Sequence, residues 1–86
     1  MRTPSNGHIA STAEEFARAH QLQRAAVAAY GSRLAAASAD EADTLSQQRR
    51  RIIAEQQTLS DLDHERVQQI ISEYPALIRA LRGEAP

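Results

Sequence analysis

Between Thr12 and Arg82 the chain contains only two residues that break helices, Gly31 and Pro75. A stretch this long with so little turn punctuation, rich in Ala, Leu, Arg, Gln and Glu, is helical by propensity. The predicted fold class is therefore all-α: an antiparallel helical bundle of two or three helices with coiled-coil-like packing. Residues 1–11 hold Pro4, Gly7 and several small polar residues and read as a flexible arm. Residues 12–83 read as one helical domain, and 84–86 as a tail.

Capping signals and hydrophobic spacing divide that domain. Ser11-x-x-Glu14 and Thr12-x-x-Glu15 are overlapping capping boxes, which predict a first helix over about 12–37. Phe16, Ala19, Gln23, Ala26, Val27, Tyr30, Leu34 and Ala37 recur on one face of it. Ser38-x-x-Glu41 predicts a second helix over about 40–58, with a narrow seam of Leu45, Ile52 and Leu59. The third helix, about 60–82, has the strongest stripe: Val67, Ile70, Tyr74, Leu77 and Leu81, widened by Ile71 and Ile78. Acids open each proposed helix and arginines follow, as the macrodipole favours. Leu59 to Ile70 is an 11-residue step, so one rod over 40–82 is the alternative division. Pro75 predicts a kink or break in the last helix, and Gly83 a C-cap.

Seventeen of the 86 residues are alanine, while Leu, Ile, Val and Phe together number 16. Alanine buries little area, so this core is thin for a lone monomer of such length. The expected remedy is completion by a homo-oligomer, by a protein partner, or by both.

The net charge is −1, which exerts no general pull on nucleic acid or anionic lipid. All ten basic residues are arginine, a pattern that fits the codon bias of a GC-rich bacterial or phage genome. There is no cysteine, so disulfides, thiol chemistry and Cys-based zinc sites are excluded. Neither a secretory leader nor a run of about 20 apolar residues is present, so no membrane role is predicted and the cytoplasm is the expected location, with non-classical export left open.

Candidate chemistry is sparse, and the expectation is a non-enzymatic chain without cofactor or metal. His8, His20 and His64 are scattered, and Asp63, His64 and Glu65 point about 100° apart on a helix, which does not converge on a metal. No phosphate loop, dinucleotide fingerprint or nucleophile elbow occurs. Arg18, Arg24, Glu55 and Arg66 are the types of residue a small helical enzyme uses, but no motif selects them. Arg49, Arg50 and Arg51 form the one charge block. They fan around a helix, so at most two serve one surface, with Arg49 nearest the Leu45/Ile52 seam.

The predicted function is protein–protein interaction, as an adaptor, assembly factor, chaperone or structural subunit. The expected interface is the last helix, with Ile70, Tyr74, Leu77, Ile78 and Leu81 as anchors laid into a groove. The alternative is a nucleic-acid-associated regulator, or an inhibitor of a nucleic-acid enzyme, that uses Arg49–Arg51. Nucleic acid is the disfavoured partner.

Overall fold

A computed structural model of the chain describes residues 10–83. Three helices occur among them: α1 (Ala13–Ala35), α2 (Ala39–Thr58) and α3 (His64–Leu81). Most of the proposed arm, with His8, and the tail 84–86 lie outside the described residues.

Of the two overlapping capping boxes before α1, the chain uses Thr12 and Glu15. The Glu15 amide donates to Thr12 Oγ1 at 3.0 Å, and the Thr12 amide to Glu15 Oε1 at 2.9 Å. The Thr12 amide is the main reason the Glu15 carboxyl is held below its ordinary range, and Gln68 adds to it. Ser11 turns away from capping. Its amide donates to the Asp61 carbonyl at 2.8 Å, and its hydroxyl lies 3.2 Å from His64 Nδ1. Ser11, the last residue of the proposed arm, is thus buried against the α2–α3 turn. Ser38 and Glu41 cap α2 in the same reciprocal manner, both bonds at 3.3 Å.

The third helix begins at His64 and not near Ser60. Residues 60–63 form a turn in which the Asp63 carboxylate accepts the Ser60 amide at 2.9 Å. The Ser60 carbonyl in turn accepts the Asp63 amide at 3.0 Å. Asp63 spends its side chain backwards on this turn, so it does not cap the helix it precedes. This turn separates α2 from α3 and removes the single-rod alternative. Pro75 lies inside α3 and does not end it. The buried side chains of Tyr74 and Ile78 on either side hold the helix to the core across the missing amide. Gly83 follows α3 in the left-handed region (φ 74°), the conformation that favours glycine after a helix end.

Side-chain bonds show the running directions. Arg49 Nε reaches the Val27 carbonyl and Gln23 Nε2 reaches Glu55, so α1 and α2 are antiparallel. Gln68 reaches Glu15 and Arg33 reaches the Leu81 carbonyl, so α1 and α3 are parallel. The bundle is up–down–up. α1 packs against both other helices, whereas no α2 Cα lies within 8 Å of an α3 Cα. In a square of helices packed ~10 Å apart, diagonal neighbours sit ~14 Å apart. The three helices thus resemble three corners of a four-helix bundle, with α2 and α3 on the diagonal.

The core follows from this placement. α1 supplies Ala19, Leu22, Ala26, Ala29 and Tyr30, α3 supplies Val67, Ile70, Tyr74 and Ile78, and α2 supplies Ile52 alone. Leu45 and Leu59 pack half-buried beside it. Gly31 sits in α1 with open space where a Cβ would project, so no close helix crossing requires it. Gly31→Ala should therefore stabilise the chain by about 1 kcal/mol through helix propensity. In a thermal melt followed by circular dichroism, that is a rise of roughly 4–8 °C. An unchanged or lower midpoint would mean that the glycine answers a constraint outside this bundle.

Candidate functional site

The side of the bundle opposite α1 is open between α2 and α3, and it holds a cleft of about 310 Å³. Its base is Tyr30, Ile52 and Tyr74. Gln48, Arg51 and Glu55 form the α2 wall, and Arg66 and Leu77 the α3 wall. Both tyrosines of the chain are here. Burial raises the pKa of each phenol, and for Tyr74 the neighbouring Arg66 partly opposes that rise. Both hydroxyls therefore stay protonated at neutral pH.

Glu55 and Arg66 tie the two walls together as a bidentate pair. Nε lies 2.5 Å from Oε2 and Nη2 lies 2.9 Å from Oε1. The hydrogen bond to Glu55 raises the Arg66 pKa further above its ordinary value. Arg66 Nη1 donates to Gln69 at 3.1 Å, and Nη2 also reaches the Tyr74 hydroxyl at 3.4 Å. The guanidinium lies 5.9 Å from the centre of the Tyr74 ring. Four of the five N–H groups of Arg66 are engaged in this way, which leaves one Nη1 N–H on a partly exposed side chain. From beneath, Gln23 Nε2 donates to Glu55 at 3.4 Å, while Gln23 Oε1 is buried with no partner.

Of the four residues singled out as enzyme-like, Glu55 and Arg66 meet. Arg18 and Arg24 stand exposed on α1, with no hydrogen bond or ion pair among the described residues. The arginine run fans out as its spacing predicts. Arg49 is half-buried and donates to the Val27 carbonyl at 3.2 Å, Arg50 is exposed, and Arg51 is exposed at the cleft wall. His20 packs edge-on against Phe16, with ring centres 4.6 Å apart, and His64 faces Ser11. No group of three or more His, Asp or Glu suited to a metal ion occurs among the described residues.

The five anchors proposed on the last helix divide. Ile70, Tyr74 and Ile78 are buried in the chain's own core against α1. Leu77 and Leu81 are half-buried at the margin, and Leu77 borders the cleft. The stripe is mostly spent on intramolecular packing, because α1 is wide enough to cover it. Sequence reasoning missed the exposed Leu62 in the α2–α3 turn, which sits between two acids and belongs to no periodic stripe. Among the described residues no helix is long and apolar enough to cross a membrane. No protein-family model, curated protein or solved structure matches this chain.

Proposed function

We infer that this chain is a protein-binding module, of the adaptor, assembly-factor, chaperone or structural-subunit kind, and that its binding face is the open side between α2 and α3. One observation carries the reading. α1 packs against both other helices, whereas the backbones of those two stay apart and are bridged by the Glu55–Arg66 side-chain pair, which leaves the fourth corner of a bundle vacant. A partner helix seated there would cover Tyr30, Tyr74 and Leu77 and complete a core that is thin for its length. The thin alanine-rich core favours the same reading independently.

Leu77→Asp tests it. Leu77 is half-buried, so the variant should keep its far-UV circular dichroism and lose several degrees of melting temperature at most. It should also lose self-association, or the partner captured from the native host. Global unfolding would mark Leu77 as core only. A variant with native stability and undiminished binding would remove the open side from the interface. The competing reading, nucleic-acid recognition by Arg49–Arg51, has less support, because Arg49 is already engaged with α1. It requires steeply salt-dependent DNA or RNA binding through Arg50 and Arg51.

A further inference from the structure

The outer edge of α2 carries Asp40, Thr44, Gln47 and Arg51 at spacings of four, three and four. At about 100° per residue, these four share a sector of about 60° on the helix. All four are exposed, and none of their side chains has a hydrogen bond or ion pair among the described residues. The 4–3–4 spacing is its own mirror image, and the chemistry inverts across its centre: an acid at one end, a base at the other, Thr and Gln between. Laid antiparallel on a copy of itself, the stripe sets Asp40 opposite Arg51 and Thr44 opposite Gln47. The twofold axis then repeats both pairs.

The stripe also lies where a copy would fit. Asp40 and Thr44 border a cleft of about 350 Å³ with Arg33 and Leu45, and Arg51 borders the cleft of Tyr30 and Tyr74. α2 is the helix least covered by its own chain, since Ile52 is its one buried residue. We propose that two copies of this chain associate by antiparallel α2–α2 pairing along Asp40, Thr44, Gln47 and Arg51, each α2 occupying the open side of the other copy. This rests on the protein-binding reading and names the partner as a second copy. Removing the half-exposed Leu45 and Leu77 from water supplies attraction, and the charges set the register.

Sedimentation velocity over the micromolar range tests the pairing. The wild-type chain is expected to dimerise. Asp40→Arg places two arginines opposite each other at both ends of the stripe, and Arg51→Asp does the same with aspartates. Each should weaken dimerisation by at least about tenfold. The combined Asp40→Arg/Arg51→Asp variant restores opposite charges and should return to within about threefold of wild type. Far-UV circular dichroism checks the fold of each variant. Should a reversal unfold the chain, Asp40→Asn and Arg51→Gln remove the attraction without adding repulsion, and each should still weaken the dimer. A wild-type chain that stays monomeric overturns the pairing, as do folded single variants that dimerise like wild type, or a folded double variant no better than the singles. A monomeric chain whose binding to another protein is lost with Leu77→Asp overturns only the pairing and leaves the open-side reading standing.

Discussion

Ile70→Ala should lower the unfolding free energy by about 2–5 kcal/mol. That is a large part of the 5–15 kcal/mol that small domains typically hold. Ile70 has no exposed surface and is the largest of the fully buried side chains, with Gln23 and Val67 beside it in that class. The core around it includes Ala19, Ala26 and Ala29 of α1, side chains too short to move into the vacated volume. The cavity should therefore persist, which places the loss in the upper part of that range. Urea denaturation followed by circular dichroism should show a lower midpoint with an unchanged slope. A loss below about 1 kcal/mol would mean that α3 is not the main seat of the core.

That α3 carries the strongest apolar stripe was legible in its sequence. Val67, Ile70 and Tyr74 of that stripe are buried, whereas its next steps, Leu77 and Leu81, are half-buried and Ile78, read as widening the stripe, takes the core position. α2 was equally legible as the weak element, because its seam of Leu45, Ile52 and Leu59 is interrupted by Gln48 and Gln56. The capping boxes at Thr12 and Ser38 were readable because two side chains and two amides satisfy one another locally. The start of α3 was not. Ser60 and Asp63 can cap a helix or close a turn on each other, and Ser11 docking on Asp61 accompanies the turn. Leu22 and Ala29 were also missed. A one-stripe reading suits a helix with one neighbour, and α1 has two, so its buried face is wider than a single stripe.

The candidate site was less legible than the fold. Glu55 and Arg66 are 11 residues apart on different helices, and nothing in either local sequence pairs them. Their meeting depends on the α2–α3 turn and on α1 holding the two helices on a diagonal. The same arrangement decides which end of the last helix's stripe is core and which is margin. Arg49 was placed near the seam by its spacing, but its acceptor is a backbone carbonyl of another helix, which carries no sequence signature. The self-complementary stripe of α2, by contrast, is written entirely in sequence. It becomes meaningful only once α2 is known to end before Leu59 and to have an uncovered edge.

Gln23→Leu should stabilise the chain, by about 1–2 kcal/mol, which is opposite in sign to most core substitutions. Gln23 has no exposed surface, its Oε1 has no partner, and its Nε2 reaches Glu55 only at a long 3.4 Å. A buried acceptor without a donor costs its desolvation in full, whereas the 3.4 Å bond returns little. Leucine is close to glutamine in size, has similar helix propensity, and would join Ala19, Leu22 and Ala26 in the same cluster. Glu55 would keep both of its bonds to Arg66, so no charge is left unpaired. A gain of that size should raise the melting temperature by roughly 4–8 °C for each kcal/mol. A loss of stability would carry a different meaning: the amide would then be a working member of the Glu55–Arg66–Tyr74 network, holding α2 and α3 in register across the open side. A double-mutant cycle of Gln23→Leu with Glu55→Gln separates the two. Near-additive effects place Gln23 outside that network, and a coupling of about 1 kcal/mol or more places it inside.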